Sequence, residues 1–230
     1  RKESSAASDV YKRQVMGFLN MLYDIYRKMD PEYVAVSFDK SKDTFRSELY
    51  TDYKSTRKPA PPELIPQFDL IREALRTLGA AVYEVAGYEG DDILGTLSAH
   101  YEKEMPVVIV TGDRDALQLS NEQTTVYITQ KGVSRMAAMT PEAIFEKYHI
   151  TPRQVIDMKA LMGDTADNIP GVPGIGEKTA LKLLTEYKTL DNLYAHVSEV
   201  KGAVGKKLAE NKDLAYLSYN CLLYTSPSPR

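Results

Sequence analysis

The sequence has few of the features that mark secreted, disulfide-bonded or membrane proteins. Its one cysteine, Cys221, excludes an internal disulfide bridge and, with no signal-peptide pattern at the start, predicts a reducing, cytoplasmic location. No apolar run is long enough to cross a bilayer. The formal net charge of −3 also lacks the basic excess that is usual in nucleic-acid-binding proteins.

The charge is unevenly distributed along the chain, and its distribution is more informative than its sum. Residues 40–59 carry six basic side chains against three acidic ones, whereas residues 89–92 read Glu-Gly-Asp-Asp. Acidic and basic groups are therefore segregated, as a metal site beside a phosphate-binding surface requires.

Hydrophobic periodicity predicts an α/β fold. An amphipathic helix is expected at 15–29, a second is expected to open at Pro61 and Pro62, and apolar runs predict buried strands at 33–38, 80–85 and 107–111. Shorter strands are expected at 124–129 and 132–136, and the remainder reads as helical. This order predicts a mostly parallel central sheet with helices on both faces, followed by a helical subdomain.

Acidic residues follow each main strand, and a fourth acidic group follows a predicted helix. Because parallel strands present their carboxyl ends at one edge of a sheet, we expect these groups to share a cleft. Oxygen ligands without His or Cys favour hard ions, and their surplus predicts two Mg²⁺ or Mn²⁺ ions, which suit in-line phosphodiester displacement. For any single acid, an exposed loop or helix cap is the alternative; for Asp92 the cap is as well supported as ligation. The candidate ligands are Asp39, Glu89, Asp91, Asp92, Asp113, Asp115, Asp164 and Asp167, the last two on a predicted helical turn.

The segment 169–180 resembles the hairpin of a helix-hairpin-helix motif. Gly171, Gly174 and Gly176 would let backbone N–H groups approach phosphate, aided by the positive end of the next helix, and Lys178 is a candidate phosphate neighbour. Such recognition does not depend on base sequence. The alternative is a Gly/Pro-rich connector, which the Gly-x-Pro-Gly-x-Gly spacing disfavours.

The basic segment at about 40–62 is predicted to form a mobile arch over the cleft. Lys54 and Arg57 are the candidate catalytic residues near the scissile phosphate, Tyr53 could stack on a base, and Arg46 is a further candidate DNA contact. The alternative is a solvated basic loop.

Taken together, five segments resemble the 5′ nuclease domains of bacterial DNA polymerases I, in the flap endonuclease superfamily. The resemblance implies a 5′→3′ exonuclease and flap endonuclease with two divalent ions, acting on DNA 5′ ends, flaps, nicks and RNA primers. It implies that Asp39, Glu89 and Asp91 hold one ion and that Asp113, Asp115, Asp164 and Asp167 serve the other, and it leaves open how Asp91 and Asp92 are shared between them. It also implies a potassium ion at the hairpin backbone of 172–175. The segments are 37–39 with 44–46, 53–57, 87–92, 111–115 and 162–176.

The resemblance also predicts the domain boundaries. We expect a nuclease core at 15–139 and a helical subdomain at 140–220 with the helix-hairpin-helix at about 154–187. Residues 1–14 and 221–230 are interpreted as non-native tails. The family begins with a strand ending in Asp-Gly that residues 1–14 do not match, so reduced activity is expected.

Two other functions remain open on the sequence. One is a catalytically impaired module that binds branched DNA, which the unmatched first strand favours. The other is an acidic-cluster ribonuclease, which the hairpin disfavours. In each case we expect a monomer that does not contact membranes, and a covalently attached polymerase domain is a further expected partner.

Overall fold

The computed structural model describes residues 3–129 and 136–224. The first part of the chain alternates helices with short strands, and the last part is entirely helical. In chain order its elements are α1 Glu3–Met29, β1 Ala35–Ser37, α2 Phe45–Leu49, α3 Ile65–Thr77, β2 Ala81–Tyr83, α4 Gly90–Tyr101, β3 Val107–Thr111, a 3₁₀ helix Arg114–Leu119, β4 Thr124–Thr129, β5 Met136–Met139, α5 Pro141–Tyr148, α6 Gln154–Met162, α7 Glu177–Tyr187, α8 Leu190–Ala195, a 3₁₀ helix Val197–Glu199, α9 Gly202–Glu210 and α10 Lys212–Leu222.

The α/β fold class is confirmed, but the strands are arranged in two small sheets. β1 pairs with β2 in parallel, β3 pairs with β4 in parallel, and β5 is antiparallel to β4. Within residues 3–129 and 136–224, no strand ladder joins β1 to β3, so the single central sheet expected from the sequence is divided. Helix α4 packs on both β1 and β3 and so links the two sheets.

Several boundaries differ from those that periodicity predicted. Helix α1 begins at Glu3 instead of Val15, and α3 begins at Ile65 with Pro66 in its first turn, not at Pro61. Proline is favoured in a first helical turn, where its missing N–H has no partner to lose. The strand expected at 132–136 falls largely on residues 130–135, outside the described residues.

Each part of the chain has its own apolar core. Leu22 of α1 packs with Ile71 and Leu75 of α3 beneath the first sheet. A second core fills the space between the β3–β5 sheet and α5, and a third lies among α6 to α10. These cores pack the strand ends and the end of α6 near one another, which positions the acidic residues described below. None of the helices in the described part of the chain has the length and apolarity that a membrane span needs.

Candidate functional site

The structure brings most of the predicted acidic residues to one pocket. Five of the eight candidate carboxylates, those of Glu89, Asp91, Asp113, Asp115 and Asp167, line it. The remaining lining residues are Arg46, Tyr53, Cys221, Leu222 and Tyr224. The pocket therefore joins the strand ends, the basic segment, the loop after α6 and the end of α10.

Helix starts orient the acids at the strand ends. The backbone N–H of Gly90, the first residue of α4, donates to Asp39 Oδ1 at 2.6 Å. Asp113 caps the 3₁₀ helix after β3, since its Oδ1 accepts from the Asp115 N–H at 2.9 Å. Free N–H groups at helix starts favour negative charge, so the fold holds these carboxylates at the mouth of the cleft.

Arg46 and Asp92 form a buried, two-pronged ion pair under the pocket. Arg46 Nη1 donates to Asp92 Oδ2 at 2.6 Å and Nη2 donates to Asp92 Oδ1 at 2.8 Å, and the two residues are 1% and 0% exposed. Burial lowers the pKa of Arg46, but the hydrogen bonds and charge of Asp92 more than offset this and raise it. Asp92 Oδ2 also accepts from the Glu89 N–H at 3.0 Å, as a helix cap does. In this arrangement Arg46 is a structural cation, not the DNA contact predicted from the sequence.

Side chains of the basic segment contact the carboxylates that line the pocket. Lys54 Nζ donates to Glu89 Oε1 at 2.7 Å, and the Tyr53 hydroxyl donates to Glu89 Oε2 at 3.1 Å. Arg57 pairs with Asp167, and the Lys54 N–H donates to the Asp167 carbonyl at 2.9 Å. Both predicted catalytic cations therefore face the acidic cleft, held by carboxylates that were predicted as metal ligands.

The loop that carries Asp164 and Asp167 is closed by a backbone bridge. The Asp164 N–H donates to the Ile169 carbonyl at 2.9 Å, and the Ile169 N–H donates back at 2.8 Å. Gly163 and Gly171 both have positive φ, and a Cβ on Gly171 would collide with the Gly163 backbone. The two acids thus lie on a tight loop, not on the helical turn predicted from their spacing.

Lys159 is a site residue that the sequence analysis missed. Its Nζ pairs with Asp115 Oδ1 and lies 2.6 Å from Asp164 Oδ2, so it joins acids from both halves of the chain. Lys159 is the only basic residue of the otherwise largely apolar helix α6. A lone lysine in an apolar helix just before an acidic loop was the signal that could have found it.

Burial and repulsion between neighbouring carboxylates raise the pKa of two acidic side chains, even though basic side chains lie nearby. Burial, followed by the charges of Asp113 and Glu89, raises the pKa of Asp91 to about 7, although Lys54 opposes the shift. Burial raises the pKa of Asp115 to about 6 against the opposing effect of Lys159. Carboxylates so placed favour additional positive charge in the pocket.

The donor set fits a hard divalent ion in its chemistry, because every acidic ligand offers oxygen. In this structure the carboxylates are paired with basic side chains of the protein, namely Lys54, Arg57 and Lys159. Among the described side chains, which belong to residues 15–129 and 136–224, no three of His, Cys, Asp or Glu converge on a single ion position. The predicted division of the acids between two ions stays a prediction.

The predicted hairpin lies between α6 and α7. Gly174 and Gly176 are exposed at its turn, as is Lys178 at the start of α7, while Val172 and Ile175 anchor it in the core. Gly171 differs from the expectation of a DNA contact, because it is buried and its N–H donates to Ser218 Oγ at 2.9 Å.

Residues at the end of α10 also reach the cleft. The Cys221 carbonyl accepts from Arg46 Nε at 2.7 Å, and the Leu223 carbonyl accepts from Arg46 Nη2 at 2.9 Å. Residues 221–230 were interpreted from the sequence as a non-native tail, yet residues 221–224 pack against the pocket. Their apolar composition, Cys-Leu-Leu-Tyr, was the signal that could have indicated this contact.

A mixed α/β domain with acids at its strand ends, joined to a helical domain with a glycine-rich hairpin, defines a known class of nucleases. Family models match this chain as the 5′-3′ exonuclease N-terminal resolvase-like domain over residues 2–149 and the 5′-3′ exonuclease C-terminal SAM fold over residues 150–224. The chain belongs to the 5′-3′ exonuclease family.

Relatives of known identity agree with this assignment. DNA polymerase I of Bacillus caldotenax is 47% identical over 211 residues, which are 91% of this chain and 24% of that polymerase. The chain spans about a quarter of the length of the curated relatives it matches.

Solved structures of a phage protein share the fold. The T5 D15 protein co-crystallized with metal ions superposes with a TM-score of 0.77 at 19% identity, covering 92% of this chain and 83% of that one. A complex of the bacteriophage T5 D15 flap endonuclease with DNA and metal ions gives a TM-score of 0.76 at 19% identity, covering 90% and 80%.

Proposed function

We propose that this chain hydrolyses phosphodiester bonds of DNA near 5′ ends and at flaps, as a metal-dependent 5′→3′ exonuclease and flap endonuclease. The observation that carries the proposal is the pocket in which five carboxylates lie beneath the Lys54 and Arg57 side chains. Family membership supports the reaction type. The metal ions and DNA in the T5 D15 structures support the cofactor and the substrate class.

The residues that would hold two Mg²⁺ or Mn²⁺ ions are those at the strand ends and in the loop after α6. Asp39, Glu89 and Asp91 form one set, and Asp113, Asp115, Asp164 and Asp167 form the other. Bound ions of this kind activate water and stabilise the attacking and leaving oxygens. Asp92 is left to Arg46, because both of its oxygens are already engaged by that guanidinium.

The basic segment would orient the substrate phosphate. Lys54 and Arg57 are tethered to Glu89 and Asp167 at the rim, and release from these carboxylates would leave two cations facing the same phosphate group. Tyr53 is held by Glu89, and burial with the charge of Glu89 raises its pKa, so its hydroxyl stays protonated and its ring stays beside the cleft.

The hairpin would hold the duplex part of the substrate. Gly174, Gly176 and Lys178 are exposed on one side of the helical domain, where backbone N–H groups and the start of α7 suit phosphate. We propose that the substrates include nicks and RNA primers and that a polymerase domain is attached to this chain. We also propose that the protein acts as a monomer in the cytoplasm.

A second candidate is a module that binds branched DNA without cutting it. The specific observation in its favour is that no three acidic ligands converge on one point in the described part of the chain. The two candidates differ in one measurable property, which is cleavage in the presence of divalent ion.

The test is a gel assay on a labelled duplex with a 5′ flap, with Mg²⁺ for cleavage and Ca²⁺ for binding. We expect cleavage by the native sequence, and loss of cleavage with retained binding for Asp113→Asn. Asp69→Asn is the matched control, because Asp69 lies on α3 with 83% of its side chain exposed. Full activity in excess chelator, or equal activity of the two variants, would contradict the metal mechanism. Binding without cleavage by the native sequence would favour the second candidate.

A further inference from the structure

A lysine from the helical domain covers the turn of the hairpin. Lys207 of α9 is half-buried, and its Nζ donates to the Gly174 carbonyl at 3.3 Å. Gly174 has φ of 77°, and a Cβ at this position would collide with the Lys207 ammonium. The glycine therefore serves two purposes, since it permits the left-handed turn and leaves room for the lysine.

Lys207 and its neighbour Lys206 differ in their carboxylate contacts. Among the side chains described, those of residues 15–129 and 136–224, Lys207 takes part in no ion pair, whereas Lys206 lies 3.7 Å from Glu210. The positive charge of Lys207 is thus centred on the hairpin, beside the exposed backbone of Gly174 and Gly176.

A potassium ion at the Gly174 carbonyl would lie beside the Lys207 ammonium, which already donates to that oxygen. Like charges this close repel each other, so the ammonium and a monovalent ion compete for the same carbonyl. The Lys207 side chain thus offers its own positive charge where the family resemblance implied a potassium ion.

We propose that Lys207 is the built-in cation of the hairpin, a positioning residue that fixes the Gly174 carbonyl and makes duplex binding independent of potassium. The inference rests on the proposed function, because it assumes that the hairpin binds DNA. Lys207 acts through the hairpin backbone, so its removal should create a requirement for an external cation and not merely subtract one charge.

The test is fluorescence anisotropy of a labelled 5′-flap duplex in Ca²⁺, at equal ionic strength in KCl or LiCl. For the native sequence we expect Kd values within twofold of each other in the two salts. Lys207→Met should bind at least tenfold more weakly in LiCl and recover several-fold in KCl. Lys206→Met, which removes the adjacent charge, should show no difference between the salts, and Lys207→Arg should behave as the native sequence.

Three outcomes would overturn the inference. The first is a native Kd that weakens several-fold when Li⁺ replaces K⁺, which needs no variant and does not depend on how Lys207→Met folds. The second is a folded Lys207→Met that matches Lys206→Met in both salts, which would make Lys207 an ordinary surface charge. Absence of flap binding by the native sequence in either salt would overturn the proposed function, and the inference with it.

Discussion

The acidic cleft has two flanks, and each is neutralised by different basic side chains. The arch flank is the side of Glu89 and Asp92, which the basic segment contacts, and the helical flank is the side of Asp115, Asp164 and Asp167, next to α6. On the arch flank, Arg46 and Lys54 of the basic segment contact Asp92 and Glu89. On the helical flank, Lys159 alone joins Asp115 to Asp164. The arch flank uses a buried arginine that holds the fold and a separate lysine at the rim. On the helical flank one lysine contacts two carboxylates, and Arg57 of the basic segment reaches the third, Asp167. We expect the two flanks to respond differently to loss of charge.

The largest effect is expected from Arg46, the structural cation of the arch flank. Arg46→Met leaves the Asp92 carboxylate buried without its partner, which typically costs about 3–5 kcal/mol of folding free energy. Arg57→Met, which removes a half-exposed cation from the same segment, should cost less than about 1 kcal/mol. Urea denaturation of the two variants measures the difference.

The double variant Arg46→Met/Asp92→Asn sharpens this prediction. The amide that replaces the Asp92 carboxylate would keep an oxygen for the Glu89 N–H but carry no charge, so the double variant should recover part of the lost stability. A loss below about 1 kcal/mol for Arg46→Met alone would show that the pair contributes little, and that the packing around α2 holds the segment by itself.

The next effect concerns the helical flank. Lys159→Met leaves Asp115 and Asp164 with like charges across the domain boundary, so we expect a loss of about 1–3 kcal/mol at neutral pH without divalent ion. Lys54→Met removes a cation that has one carboxylate partner, and it should cost less than Lys159→Met. Thermal melting with and without Mg²⁺ tests both, because an ion that takes over the charge should stabilise Lys159→Met more than the native sequence. Equal losses for the two lysine variants would contradict the difference between the flanks.

The sequence predicted the acidic residues of both flanks. Of the basic residues, it predicted Lys54 and Arg57 but not Lys159. The acids were found because they follow apolar runs, and parallel strands present their carboxyl ends together. Lys54 and Arg57 were found because basic residues are concentrated in 40–59. Lys159 was not found. A lone lysine in an apolar helix marks a candidate residue, but nothing local to the helix shows that a strand end from the other domain will face it.

The same limit explains the remaining differences in the fold. The strands were found from their β-branched residues, but whether β1 and β3 join one sheet depends on long-range pairing that periodicity does not encode. Arg46 was predicted to bind DNA because it lies in the basic segment 40–59. Arg46 is buried because it contacts Asp92 and carbonyls near the end of α10. Asp92 is 46 residues away along the chain, and Cys221 is 175 residues away. Gly171 was counted with the exposed glycines because the crossing with Gly163 is a tertiary contact.

A gain in stability, the reverse of the losses above, is expected at Asp157, a second ionisable residue on α6 and a contrast to Lys159. Asp157 is buried, and burial raises its pKa to about 6 although the backbone of Leu190 hydrogen-bonds to it. Because the pKa is higher in the folded than in the unfolded chain, ionisation destabilises the fold. The penalty is absent below the unfolded pKa of about 4, grows as the pH rises to about 6, and is complete above it. Asp157→Asn should therefore add up to about 3 kcal/mol at pH 8 and almost nothing at pH 4.

Melting temperatures of Asp157→Asn across pH 4 to 8 test this sign directly. Asp191→Asn is the control. Asp191 lies on α8 and accepts a hydrogen bond from the Tyr216 hydroxyl at 2.7 Å, and its charge acts on Asp157 only from a distance. A stabilisation that is the same at both ends of the pH range would show that the amide packs better than the carboxyl, and that ionisation is not the cause. Loss of stability at pH 8 would mean that the Asp157 carboxylate is needed by α8, in which case α6 would carry two charges that hold the helical domain in place.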